Sequence, residues 1–477
     1  MASTETKANL RGRVRGCLLG LAVGDALGTP VRGLKPGRAA LLFREGVDHI
    51  DAREVWSTRP RRWHLPGLHS APTQQALTLI EALARVLPTA DRAELPQATA
   101  RAVANLWRRL AFGSGERDLP HGVARGGGET WARALDAMRD RTGPSGQPSA
   151  GIGAAASIAP LGWVFRDDAV LLTDVVIEVT LLTHTDPRAV GGALAVAHAA
   201  ALLLDSEDAL RINAAATLGE LTARVREGEN RLEDNHLKRL HRGARDDEPA
   251  PLHAMSRALE ALTGLVAEAD DALAVATLIR QANHFGPEPP VTSPTFDFAP
   301  AAVPVALHLA FAHTRFAGAV EPLVTSGKEA NAAAAIAGAL AGARLGEDSI
   351  SQAWRNGLVA RKELSAWADS FADLLTGEGA ADHRPDLMEM ELALTLRERE
   401  ARQPLIEEFE AQRKHQGPPP KARRKPAPTE PENLPFAPPP HTYLKRSSED
   451  PEAKRLERAA RGKRRIPWKE ERRRDKS

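Results

Sequence analysis

Cysteine and aromatic residues are both scarce. One cysteine, Cys17, stands in 477 residues, so no intrachain disulfide can form and a reducing compartment is expected. Aromatics are 4% of the chain, with a single tyrosine. Burial therefore falls to alanine and leucine, which favours packed helices over sheets. Sustained period-two alternation is also missing, so strands are at most incidental. Long apolar runs are few. CLLGLAV, Cys17 to Val23, is too short to span a membrane and is closed by Asp25. It follows Arg11, Arg13 and Arg15 as a signal peptide would, but no cleavage site of small residues follows. These features lead us to expect a soluble cytoplasmic protein with no membrane partner, and Cys17 as a small core residue.

The charge is present but unevenly spread. From Gly417 onward there are 18 Lys and Arg against 9 Asp and Glu, which leaves the rest of the chain with a surplus of 7 acids. Apolar spacing of three and four marks the helices. Val14, Cys17, Leu18 and Leu21 share one face after Arg11. Leu77, Ile80, Ala84 and Leu87 form a stripe behind Ser70, a plausible N-cap; Val175, Val179 and Leu182 form another. Ala333, Ile336, Ala337 and Leu340 continue the pattern, with Gly338 and Gly342 permitting close approach. Composition predicts loops over 113–128, 141–153 and 286–304, and an exposed charged insertion over 224–251.

The expected organisation is all-α. A flexible N-terminus covers 1–10 and a helical domain 11–376. A charged helical extension follows over 377–415, with Leu387, Met390, Leu394 and Phe409 on its apolar side. A disordered, Pro-rich basic tail covers 416–477. The tail mixes cationic clusters with Tyr443 and Trp468, a composition that can contact nucleic acid or acidic proteins, although Glu449, Glu457, Glu470 and Glu471 dilute its charge.

Five blocks carry a resemblance: RGCLLGLAVGDALGTPVRG from Arg15, HSAPTQQALTLIEALARV from His69, GIGAAASIAPLGWVF from Gly151, LLTHTDPRAVGGALAVAHAAALLL from Leu181, and VTSGKEANAAAAIAGALAGARLG from Val324. In order and spacing they resemble the ADP-ribosylglycohydrolase family, which includes the dinitrogenase-reductase-activating glycohydrolases. The resemblance covers roughly Arg11 to Leu358. It implies an all-helical fold and cleavage of N- or O-glycosidic bonds between ADP-ribose and protein side chains, with two divalent cations, magnesium or manganese. It also implies acids at three places: after GDALG-x-P, in a Thr-Asp-Asp cluster opening a helix, and in an Asp-x-Asp-Thr cluster opening a late one.

This chain departs at all three. Arg32 falls at the first acid position, Ser70-Ala71-Pro72 at the second, and Glu329-Ala330-Asn331-Ala332 at the third, with Lys328 where the family has glycine. Ser70, Glu329 and Asn331 remain as vestigial metal positions. Two dications need several carboxylates for charge balance and dehydration, so the binuclear centre is expected to be lost and no cofactor is expected. A replacement acid from Asp25, Asp186 or Asp297 is the alternative.

His184 matches a histidine that in the family lies near the ligand. Gly151 and Gly153 match glycines whose backbone approaches it, while Ile152 and Ser157 replace a polar and a basic residue there. Arg32 and Lys328, if both point inward, supply two charges for a phosphate.

The expected reading is thus a pseudoenzyme. It binds an ADP-ribose-like or nucleotide ligand through Arg32, Lys328, Gly151, Gly153 and His184, or binds a protein partner. Losing the metal-holding acids removes most of the roughly 8–23 kcal/mol by which enzymes lower barriers. Two alternatives stay open. One is an active hydrolase with a rearranged magnesium or manganese site, using Glu329 and His184 with Asn331 and Ser70. The other is a scaffold or nucleic-acid adaptor acting through 416–477.

Overall fold

The computed structural model describes residues 4–113, 121–140, 145–205, 212–240, 252–265, 270–376 and 384–416. The basic tail beyond Gln416, with the partner contacts expected of it, lies outside these residues.

Eighteen α-helices are present among the described residues. They are α1 (Thr4–Gly28), α2 (Pro36–Leu42), α3 (Arg53–Trp56), α4 (Ala71–Val86), α5 (Leu95–Phe112), α6 (Glu129–Asp140), α7 (Ala159–Val164), α8 (Ala169–Thr180) and α9 (Pro187–Asp205). There follow α10 (Ala214–His236), α11 (Ala254–Leu265), α12 (Asp271–Ala282), α13 (Ala299–Ala312), α14 (Phe316–Val324), α15 (Ala330–Leu345), α16 (Gln352–Gly357), α17 (Arg361–Thr376) and α18 (Leu387–Gln416). Extended pairing among the described residues is limited to one isolated bridge, Gln147 with His184. The all-α expectation therefore holds. α1 starts at Thr4, so residues 4–10, expected to be flexible, are helical.

The central helix is α15, buried at every residue from Ala330 to Arg344. It packs against α1, α9, α13 and α14. Its contact with α1 is made almost entirely of small residues. A Cβ at Gly16 would lie 2.4 Å from the Gly342 carbonyl oxygen, one at Gly20 2.3 Å from that of Gly338, and one at Gly24 2.1 Å from that of Ala334. Residue numbers run in opposite directions along the pair, so the helices are antiparallel. Glycine is required here because backbone meets backbone. Gly338 and Gly342 do what their spacing suggested, and the helix they admit is α1. Cys17 is buried in this layer.

Buried arginines close helix ends. Arg13 Nε donates to the Ala343 carbonyl at 2.9 Å. Arg344 donates to the carbonyls of Ala310 and Phe311 at the end of α13. Both satisfy carbonyls that a helix C-terminus leaves without partners. Two stretches, Asn9–Val31 and Pro187–Leu204, are apolar and long enough to cross a membrane, and 94% and 89% of their most apolar windows are buried in the fold. That burial is what core helices show.

Two sequence readings need correction and a third is filled in. The insertion expected over 224–251 is helical as far as Arg239, where the description stops short at Leu240. Within α10, Leu218, Leu221, Val225, Glu229 and Leu232 form a buried face against α9 and α11. The proline-rich loop ends at Phe298, because Pro300 sits in the first turn of α13, where its missing N–H is harmless. Finally, the charged helix expected over 377–415 is present as α18, Leu387–Gln416, and packs on the rest of the fold. It belongs to one compact unit with the rest of Met1–Gly417, and Leu387, Met390 and Leu394 are buried. Glu391, Thr395 and Glu398 are buried on the same face.

Candidate functional site

The antiparallel α1–α15 pair brings the end of α1 beside the start of α15, and the first turn of α4 meets both. Asp25, fully buried, organises the junction. Its carboxylate accepts from the Ser70 N–H at 2.8 Å, the Thr73 N–H at 3.2 Å and the Thr73 hydroxyl at 2.7 Å, and from the Ser70 hydroxyl. Ser70 is the N-cap residue of α4, yet its own side chain makes no cap bond; Asp25 does so from another helix. Asn331 Nδ2 donates to Ser70 Oγ at 3.0 Å. Asn331 Oδ1 is buried and has no partner.

Beside this junction lies a solvent-open cleft of about 200 Å³. Arg32, Gln75, Gly126 to Trp131, Ile152, Gly153, Thr183, His184, Asp297, Glu329 and Asn331 contribute to its lining. Arg32, carried on the turn after α1, donates from Nε to Glu329 Oε2 at 2.9 Å and from a terminal nitrogen to the Gly126 carbonyl. Burial pushes the Glu329 carboxyl above its ordinary value; Arg32 opposes the shift and Asp297 adds to it.

Asp297 Oδ1 accepts from the Ile152 N–H at 3.0 Å. A Cβ at Gly151 would lie 2.5 Å from that oxygen, so glycine there admits the carboxylate. His184 is fixed by the bridge to Gln147 and by Thr183 Oγ1, 2.8 Å from Nδ1. Burial lowers its pKa to about 4, against the pull of Asp297 and Asp186, so the ring is neutral near pH 7.

Of the expected ligand residues, Arg32, Gly153 and His184 line the cleft, and Gly151 supports it from behind. Lys328 does not line it. Its backbone keeps the left-handed conformation that suits glycine, with φ 52°, and its Nζ lies 6.0 Å from the Phe296 ring centroid. The expected pair of inward cations is therefore a single one. Among the vestigial metal positions, Glu329 and Asn331 reach the cleft, while Ser70 is taken up between Asp25 and Asn331. Of the replacement acids, Asp297 lines the cleft. Asp25 caps α4, and Asp186 is paired with Arg188 at 2.6 Å. Ser157 donates to Gln75 Oε1 at 3.3 Å and is outside the lining.

Sequence reasoning missed the segment Gly126–Trp131 and Gln75. Gly126 has φ 66°, and a Cβ there would lie 2.6 Å from Ser70 Cβ. The run RGGGETW was visible, but nothing in its composition tied it to Ser70.

The donor set does not suit two hard dications. Only Glu129, Asp297 and Glu329 bring carboxylates to the lining. Glu129 is exposed and paired with Arg133, and Glu329 is paired with Arg32. Among the described residues no group of three or more His, Cys, Asp or Glu side chains is arranged to hold a metal ion.

Behind α4 lies a second polar cluster. Glu391 of α18 contacts His69 Nε2 at 2.9 Å, Gln74 Nε2 at 2.6 Å and an Arg125 nitrogen at 2.6 Å. Burial alone would raise its pKa; Arg125 and His69 more than offset that and hold it at about 2. Glu398 is likewise held at about 2, beside His64 and Arg402.

Residues 6–381 match the family model described as ADP-ribosylglycohydrolase. An uncharacterized protein of Archaeoglobus fulgidus is 26% identical over 379 residues, 76% of this chain and 96% of that protein. A solved structure described as an ADP-ribosylglycohydrolase-related protein complex is 24% identical; the match covers 77% of this chain and 99% of that one, with a TM-score of 0.48.

Proposed function

We propose a binding function for this chain, which belongs to the ADP-ribosylglycohydrolase family. In this reading the cleft holds a small ligand without a pair of divalent cations and without hydrolysing it. One observation carries it: the Arg32 guanidinium stands in the cleft, bound to Glu329 and to the Gly126 carbonyl. A metal pair needs anionic oxygens there, and a fixed positive charge repels it. The Asp25–Ser70–Asn331 bonds support the same reading, since they occupy oxygen atoms beside the former metal positions.

The test is hydrolysis of ADP-ribosyl-arginine and ADP-ribosyl-serine with added magnesium or manganese, beside a metal analysis of the purified chain. We expect no release of ADP-ribose and no stoichiometric metal. Metal-dependent release, with about two ions per chain as the two-metal sites of this chemistry use, overturns the proposal.

A second reading is favoured by Glu329, whose raised pKa is a property of a general acid. With Asp297 and His184 beside it, Glu329 would protonate a leaving group without metal. Release of ADP-ribose in EDTA that disappears in Glu329→Gln selects this reading instead.

A further inference from the structure

A second cavity, of about 250 Å³, lies away from the cleft, where α4, α5 and the start of α18 meet. Glu81 and Arg85 bring the far half of α4 to it. α5 contributes Leu106, Arg109 and Leu110, and Arg384 to Met388 lead into α18. Residues 384–388 fall beyond the family match, which ends at 381, so one wall of the cavity comes from outside the family pattern.

Three arginines from three elements converge here. Arg85 and Arg384 share one carboxylate: Arg85 Nε donates to Glu81 Oε1 at 2.7 Å, and Arg384 Nε lies 3.2 Å from Glu81 Oε2. The Arg384 guanidinium is also placed 5.6 Å from the Trp367 ring centroid. Asp386 is engaged too, since its Oδ1 accepts from the Glu389 N–H at 2.9 Å in the first turn of α18. The Arg109 guanidinium has no ion pair and no hydrogen bond among the described residues.

The lining thus sets three guanidinium groups against two carboxylates and carries a surplus of positive charge. Gathering like charges costs repulsion that Glu81 and Asp386 offset only in part, and an entering anion removes the rest. A guanidinium presents planar, paired N–H donors that suit phosphate oxygens. Donors arriving from three elements match the several oxygens of a phosphoryl group better than the two of a carboxylate. Leu106, Leu110, Leu387 and Met388 line the same cavity and offer an apolar surface beside the charge.

We propose that this cavity is a second binding site, which takes the phosphoryl group of a small molecule through Arg85, Arg109 and Arg384. It stands apart from the cleft and does not depend on the function proposed there.

Calorimetric titration of the full chain with inorganic phosphate, in a phosphate-free, low-salt buffer containing EDTA, tests it. One saturable site is expected. Arg109 is exposed. Arg109→Gln is expected to weaken binding by roughly tenfold or more, with an unchanged melting temperature in phosphate-free buffer showing that it folds. Arg32→Gln, which removes the cation of the cleft, is expected to leave phosphate affinity unchanged. No binding by the wild type, equal affinity in Arg109→Gln, or loss of binding in Arg32→Gln overturns the proposal. Phenyl phosphate titrated in the same way separates the two sources of a phosphoryl group. Tighter binding than inorganic phosphate, again lost in Arg109→Gln, assigns the site to a phosphate ester whose organic part rests on the leucines. Equal or weaker binding assigns it to free phosphate.

Discussion

The α1–α15 contact and the α18–α4 contact both position the cleft, and they are built by opposite means. The first is made largely of glycine and alanine, with backbones touching and Arg13 donating to the Ala343 carbonyl. The second places Glu391 and Glu398 in the interior and satisfies them with His69, Gln74, Arg125, His64 and Arg402. Close packing depends on the absence of atoms. Buried charge depends on the presence of every partner, because one carboxylate left alone in a low dielectric is strongly unfavourable. The two contacts should therefore fail in different ways.

The largest effect belongs to the glycine contact. Gly342→Leu places a Cβ 1.9 Å from the Gly16 carbonyl oxygen, and neither backbone has room to yield. Loss of about 3 kcal/mol or more is expected, seen as aggregation or a collapsed denaturant midpoint. A Gly342→Leu chain that unfolds like wild type would show that the helices are not in backbone contact.

Next comes the charged contact. Glu391→Ala strands Arg125 and is expected to cost about 3–5 kcal/mol. Acid reaches the same interaction without mutation. The folded pKa of Glu391, about 2, lies below its unfolded value, so the stabilisation is complete above the usual carboxylate range and is lost as pH falls through about 2. Unfolding free energy in the wild type should drop across that window and drop less in Glu391→Gln. Parallel curves for the two proteins would mean that the buried charge contributes nothing.

The smallest effect sharpens the comparison within one helix. Gly12 lies on α1 as Gly16 does, but a Cβ there meets nothing within 4 Å. Gly12→Ala should stabilise by roughly 0.5–1 kcal/mol through helix propensity alone, read as a small rise in denaturant midpoint. Destabilisation would place an unseen neighbour beside it.

The same contrast explains what was legible in the sequence. A stripe such as Leu77 and Ile80, or glycines four apart at Gly338 and Gly342, is local and survives as a pattern. Glu391 gives no local sign of burial, since it reads as one acid among many and its partner His69 is 322 residues away. α10 was overlooked for a related reason: its buried Leu218, Leu221, Val225 and Leu232 keep helical spacing within a stretch dominated by charge. At the cleft, Arg32, His184, Gly153, Glu329 and Asn331 were recognisable through motif position. Lys328 was misplaced because a positive φ redirects a side chain in a way residue type does not reveal. Gly126 arrives from a loop and Trp131 from the first turn of α6, and only the fold determines where that segment goes.

Arg32 carries one last consequence. A cation attached to the polypeptide cannot be chelated, exchanged for another ion or starved by a poor growth medium. Every copy of the chain acquires it at synthesis, at an effective concentration no dissolved ion matches. Under the binding function proposed above, the field inside this cleft is set by translation and not by the metal supply of the cell.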